Sequence, residues 1–284
     1  MITQTIFEKG ITLAKLASFV PRQNFPDSGI IYKAKNDHLI KKIAVGVDVE
    51  AAELLYAHAQ NCDLVIAHHP VGVPSVRVAE EILFHNDNLG HYGVPGRKIA
   101  ATIEKSAQKE RRRSAAYNLT REASLAKDMD MDFIVLHTPM DIVGVKRMET
   151  LLTKEKCHTL EDCLDLLGTL EEFSMARAFG QEPFIAHGEP TAKIGKISFT
   201  EFLGAEESSP EIFLPLKEAG VDTILVPHFS EDFFHAAKDA NLQIIYCGHM
   251  ASDSLGINIF LDTLLAEDPT IKIMPLGGLL RTKN

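Results

Sequence analysis

The chain has 284 residues, 45% of them apolar and 24% charged, a balance that suits a folded globular protein with a substantial buried core. Its formal charge of -10 argues against a general nucleic-acid or anionic-membrane binder, because such partners need a basic footprint. No apolar run approaches the roughly 18 residues of a membrane span, and Met1 to Val20 lacks the basic flank and continuous apolar core of a signal peptide, so a cytoplasmic location is expected.

In chain order, apolar residues at Ile6, Phe7, Ile11, Leu13, Leu16 and Ala17 predict an amphipathic helix over 3–19. A loop through Asn24 and Gly29 leads to a short strand over 30–32. The run 42–47 predicts a strand ending in Asp48, a helix over 50–61 follows, and a second strand over 63–67 delivers His68, His69 and Pro70. This is a βαβ unit with a right-handed crossover. Adjacent strand residues point to opposite faces, so both imidazoles reach one site only where the strand ends, as Pro70 implies.

After a loop at Gly72 and Pro74, residues 78–129 read mainly as helix with a break over 86–96. The basic run Lys105, Lys109, Arg111, Arg112, Arg113 is balanced by Glu104, Glu110 and Glu122, and reads as a solvated helix face ahead of an anion-binding or partner surface. The strand over 133–136 ends at His137. Beyond it Thr138 suits a helix N-cap, Pro139 the first helical position and Asp141 a capping box, which gives Asp141 a plain structural role.

Short helices follow over 150–182, one starting at Thr159, and then strands and turns over 183–199. Gly188 to Lys196 fails as a phosphate loop because Ile197 stands where Ser or Thr is needed. A helix over 210–220 closed by glycine precedes the strand to His228, a helix over 231–240 and the strand to His249. The last helix is expected over 259–266, with a possible edge strand over 271–276. No internal repeat is apparent in the sequence, although strands ending in histidine occur in both halves. The cysteines Cys62, Cys157, Cys163 and Cys247 form no C-x-x-C pair and fit reduced thiols.

Short β-branched runs of this kind suit an α/β protein with a mostly parallel sheet flanked by helices, and such sheets bind ligands at the carboxyl ends of their strands. Imidazole and carboxylate together are ligands for Zn, Mn or Fe. His249 and Asp253 share a face if a helix starts at Gly248, and His137 with Asp141 repeats the spacing less cleanly because Pro139 intervenes. With His68 and His69 there are more candidates than one tetrahedral ion uses, so a pair of divalent ions is the sharper expectation, against a purely structural polar cluster.

Asp63 to Pro70, with His137-Thr138-Pro139-Met140-Asp141 and the stretch Gly248 to Gly256, resembles the Nif-three-like family, whose members are also called GTP cyclohydrolase I type 2 homologues. The resemblance runs from about Asp27 to the final helix. It implies a two-lobed fold, divided here as 1–150 carrying the double histidine and 151–284 carrying the Gly-His motif, with a dinuclear metal cleft and assembly as a homo-oligomer, commonly a toroidal hexamer. It also implies ligand roles for His68, His69, Asp141, His249 and Asp253, with His137 lining or joining the site; His228 falls outside that shared set, either behind the ligands or lining the cleft. The sequence departs from the family at Asp253, where glutamate is commoner, and in lacking the tryptophan near the amino-terminal Asp-Asn motif, of which Asp27-Ser28-Gly29 is a weak echo.

Two functions use these residues. A metal-dependent hydrolase would employ His137 or His228 to move a proton and Arg97, Lys98 and the run near Arg111 to attract an anionic or nucleotide-like substrate. A metal carrier or regulator would need only the ligands and a partner surface.

Overall fold

A computed structural model describes residues 1–36, 38–203 and 207–282. After helix α1 (Thr3–Ala17), the first half alternates strands and helices as β1 (Gly29–Tyr32), β2 (Lys42–Gly46), α2 (Ala51–Ala59) and β3 (Leu64–Ala67). Helices α3 (Val73–Leu83), α4 (His85–His91), α5 (Gly96–Ser114) and α6 (Arg121–Asp128) precede β4 (Asp132–Val135) and the long α7 (Thr138–Lys154). The chain continues through α8 (Leu160–Leu167), α9 (Glu171–Ala176), β5 (Phe184–His187), β6 (Ile197–Ser198) and α10 (Phe213–Glu218). It closes with β7 (Thr223–Val226), α11 (Glu231–Asp239), β8 (Gln243–Tyr246), α12 (His249–Glu267) and β9 (Lys272–Leu276).

The expected α/β fold of mostly parallel strands flanked by helices is present, its strands divided between two sheets ordered β1-β4-β3-β2-β9 and β5-β8-β7-β6. In each, the first strand in sequence runs antiparallel at an edge and the other strands are parallel. Leaving β9 aside, both sheets carry their strands in the spatial order first, fourth, third, second. The two halves therefore share a repeat of topology, in which β3 corresponds to β7 and β4 to β8. The edge strand anticipated near the end is β9, and it pairs with β2, so residues beyond 151 also complete the first sheet.

Strands β3, β4 and β7 are buried along their whole length, which is why they read as unbroken apolar runs. One face of the first sheet packs on α2 and α6 through Leu54, Ala57 and Ala126. Its other face meets α1 and α12 through Ile6, Phe260, Leu261 and Leu264. On α1 the buried stripe is Thr3, Ile6, Gly10 and Ala14, while Leu16, expected inward, is exposed. The second sheet packs on α7, α8, α9 and α12 through residues such as Val145, Leu167, Phe173 and Leu255. Helices α7 and α12 thus form a central layer between the sheets. Because α12 is buried on every side, its sequence lacks a one-faced apolar stripe, and the helix expected to start at 259 begins ten residues earlier at His249.

The two halves differ most in one connection. Between β7 and β8 the described chain has only α11, whereas between β3 and β4 it has α3, α4 and α5 as well as α6. Those extra helices bury Ile82, Leu89, Ile99, Ile103 and Ala107 against Ile224, Val226 and Ile244 of the second sheet. A segment inserted in the first half therefore bridges to the second and forms one wall of the cleft between them. Among the described residues, no helix is long and apolar enough to cross a membrane.

Candidate metal centre

Both histidines after β3 reach the cleft because the strand is ending. The backbone N–H groups of His68 and His69 donate to consecutive carbonyls, Gly46 O and Val47 O, at 3.0 Å each. A regular strand points adjacent N–H groups to opposite sides, so its alternation has stopped here. After β4, His137 sits at the N-cap of α7, and Asp141 lies in the first turn. After β8, Gly248 adopts φ 88°, a left-handed value that suits glycine, and its Cα approaches so closely that a β-carbon would lie 2.7 Å from Gln181 O. That turn starts α12 at His249 and places Asp253 one turn on. The two helices share the pattern His-x3-Asp-x2-Gly, as His137-Asp141-Gly144 and His249-Asp253-Gly256.

Thr138 is not the N-cap that its sequence context suggests. The helix already includes it, His137 makes no side-chain cap, and the Thr138 hydroxyl donates instead to Asp27 Oδ2 at 2.6 Å. Asp141 faces the cluster, with Oδ1 3.2 Å from His68 Nε2.

Asp253 Oδ2 is the centre of the arrangement. It lies 3.7 Å from His68 Nε2, 3.3 Å from His69 Nε2 and 3.2 Å from His249 Nε2, and it is buried with no hydrogen-bond partner of acceptable geometry among the described residues. The Nε2 atoms of His69 and His249 are 3.1 Å apart. Two imidazole lone pairs at that distance repel unless a proton or a cation stands between or beside them. Behind the cluster, Nδ1 is held in three of the histidines: His68 by Leu136 O at 3.1 Å, His69 by Asp48 Oδ1 at 2.7 Å and His137 by Asp27 Oδ2 at 2.8 Å. An Nδ1–H donating backwards leaves the Nε2 lone pair for the cleft, the usual support of a metal-ligating histidine.

The electrostatics agree. Burial drives the His68 pKa down to about 4, against the pull of Asp253, so this ring is neutral at pH 7. Burial also opposes charge on His69, but the nearby carboxylate of Asp253, with a further contribution from Asp48, lifts it to about 9. Burial would raise Asp253, yet the imidazoles of His68, His249 and His69 hold it well below the usual carboxylate range. Without a cation, the cluster balances its carboxylate by protonating His69. Three sets of ligand atoms, each lying within 4.8 Å of one another, could hold an ion: His68, His69 and His137; His69, His249 and Asp253; and His68, Asp141 and Asp253. An orphaned carboxylate oxygen ringed by imidazoles is a donor set that fits divalent cations.

The cluster forms the floor of a cleft of about 250 Å³, also lined by Ser75, Val78, Glu110, Arg113, Tyr117 and Glu201. His228 stands beside it, its ring 4.6 Å from that of His249. The basic residues expected to face the site divide. Arg113 lines the cleft, Arg111 lines a different hollow between α3 and α5, and Lys98 pairs with Glu218 at 2.6 Å. Arg97 is exposed on the first turn of α5 and does not line the cleft. Sequence reasoning missed Glu110, Tyr117 and Glu201 as cleft residues. Glu110 and Tyr117 flank Arg113 at spacings of three and four, but only the docking of α5 on the second sheet reveals that this face looks toward the histidines.

The profile of the Duf34/NIF3 (NGG1p interacting factor 3) family matches residues 11–81, the segment that carries both His68 and His69. The search of curated proteins gave no match. Among solved structures, a NIF3 superfamily protein from Sphaerobacter thermophilus is 25% identical, with a TM-score of 0.83 over 98% of this chain and 99% of that one. The fold is also that of reduced HcgD from Methanocaldococcus jannaschii, at 16% identity and a TM-score of 0.56 over 97% and 98% of the two chains. TTHA1606 from Thermus thermophilus shares it at 14% identity and a TM-score of 0.55 over 97% and 98%. The double histidine lies within the matched segment, and the two mostly parallel sheets and the near-complete overlap with the Sphaerobacter protein give this chain the fold of the NIF3 superfamily and support a NIF3-like protein.

Proposed function

We propose that the cleft holds two divalent cations, Zn, Mn or Fe, and that the protein is a metal-dependent hydrolase. The observation that carries this reading is the position of Asp253, shared by the set His68, Asp141, Asp253 and the set His69, His249, Asp253. One carboxylate common to two ligand sets suits a bridged pair. When bound, such ions supply Lewis-acid polarisation of a carbonyl or phosphoryl oxygen. The chain's own residues supply the rest. His137, fixed through Nδ1 by the buried Asp27, keeps Nε2 free to take or give a proton at the cleft. His228, against His249, is the second candidate for proton movement.

An open cleft beside the cluster favours an enzyme over a carrier, since a site used only to hold metal is normally closed by protein ligands. Assembly as a homo-oligomer, with the hexamer as the form that the family resemblance implies, belongs to the same reading. The deciding experiment loads purified protein with Zn, Mn or Fe and assays phosphoester, nucleotide and cyclic amide substrates, with the His68→Ala, His69→Ala double variant as control. Turnover lost in the variant supports a hydrolase. Silence across the panel, with tightly held metal that a partner protein removes, supports the carrier.

A further inference from the structure

On α5, Lys105, Lys109 and Arg113 recur every fourth residue and share one face, about 6 Å apart along the helix. Arg113 lines the metal cleft and also a second hollow of about 430 Å³, which meets the cleft at Val78, Glu110 and Arg113. Lys109, Ser208 and His228 line that hollow, and Lys105 lines the next one along the helix. Part of the basic run is thus solvent-exposed along hollows that adjoin the histidine cleft.

Two observations mark a built site. Arg113 reaches the hollow from an exposed position, its side chain 68% accessible, with Nε held between Glu110 Oε2 at 2.9 Å and Tyr117 Oη at 3.0 Å, while its two terminal amino groups have no partner among the described residues. A guanidinium held this way offers paired donors that match an oxyanion. The second is Ser208, whose hydroxyl is buried, the residue being 7% exposed, and has no hydrogen-bond partner among the described residues. A buried unsatisfied hydroxyl is costly unless a ligand or water completes it. The acids that face the hollow are Glu110, Glu207 and Asp232. Glu110 is paired with Arg113, Glu207 accepts the Ser230 backbone N–H at the start of α11, and Asp232 is exposed at the rim.

We propose that this face of α5 is an oxyanion subsite, in which Arg113, Lys109 and Ser208 hold a phosphoryl or carboxylate group of a molecule whose reacting bond lies at the His68, His69 and Asp253 cluster. The second half of that statement rests on the hydrolase reading; the subsite itself does not need the metals.

The test is calorimetric titration of chelator-treated protein with inorganic phosphate and, separately, succinate. One of the two should bind, and the tighter one identifies the group as phosphoryl or carboxylate. R113Q should weaken that binding at least about tenfold, as loss of charged hydrogen bonds does. R113K keeps the charge but loses the fork and should still fall short of wild type, S208A should weaken binding by a smaller factor, and K98A, on the same helix but outside both hollows, should leave it unchanged. Melting curves for each variant confirm that it folds. No binding of either anion to wild type, or equal binding to wild type and R113Q, overturns the proposal. If the protein takes up no metal yet binds the anion through Arg113, the hydrolase reading fails and the subsite stands; metal uptake with Arg113-independent anion binding gives the reverse.

Discussion

Gly256 of α12 lies so close to Met140 of α7 that a β-carbon on Gly256 would stand 1.9 Å from the Met140 carbonyl oxygen. Its counterpart Gly144 has more room, with the nearest neighbour to an added β-carbon at 3.4 Å. The close crossing brings together the two helices that carry Asp141 and Asp253. Gly256→Ala meets rigid backbone and should destabilise the fold by about 1–3 kcal/mol or more, with weakened metal uptake, whereas Gly144→Ala should cost much less. Chemical denaturation of both variants checks this, and equal losses would argue against the crossing as the element that sets the site.

The residues behind the histidines should matter nearly as much as the proposed ligands. Asp27→Asn and Asp48→Asn each leave an imidazole without its anionic orienting partner, at His137 and His69 respectively. Losses of this type typically reduce metal affinity about 10–100-fold. Competition with a chromogenic chelator measures it, and wild-type affinity in Asp48→Asn would remove His69 from the ligand set.

Stability should depend on pH in opposite directions through two adjacent histidines. His68 has a folded pKa near 4, below its ordinary 6.5, so the unfolded chain takes a proton first and stability is lost as pH falls between those values. For His69, raised from 6.5 to about 9, the contribution is complete below 6.5 and is lost as pH rises to 9. The chelated protein should therefore melt highest near pH 6.5. A cation displaces the His69 proton, so the metal-loaded form should keep its melting temperature toward pH 9. A chelated protein equally stable at pH 6.5 and 9 would contradict the assignment of charge to His69.

A buried ion pair supports the same corner of the site. Arg22 lies between the rings of Phe25 and Phe84, at 4.8 and 4.2 Å from their centroids, and grips both oxygens of the fully buried Glu81 at 2.5 and 2.6 Å. Arg22→Met strands that carboxylate and should cost about 3–5 kcal/mol, while Arg22→Met with Glu81→Met should recover much of the loss. Breaking the exposed Lys98–Glu218 pair should cost no more than about 1 kcal/mol. Thermal denaturation of these variants supplies the comparison.

Much of the site was legible because buried parallel strands spell out their ends: apolar runs stopping at His68, His137, His228 and His249 require no long-range information. The paired spacing of Asp141 and Gly144 after His137, and of Asp253 and Gly256 after His249, was also present in the sequence and signals the duplicated topology. The division into two sheets was not, since four-residue strands carry no mark of which sheet they join. The start of α12 was hidden because a helix buried on all sides has no periodic apolar face. The cap at Thr138 was misread because Asp27, far away in sequence, takes its hydroxyl. Arg113 looked like its solvated neighbours because only the packing of α5 on the second sheet distinguishes it.

The most direct measurement is the metal content of protein purified without chelator or metal-affinity tag and then equilibrated with Zn, Mn or Fe. About two ions per chain are expected, falling to one or fewer in Asp253→Asn, whose carboxylate is common to both sets. A wild-type chain that stays metal-free in excess cation, or an Asp253→Asn chain that fills as wild type does, would contradict the assignment of His68, His69, Asp141, His249 and Asp253 to a two-ion centre.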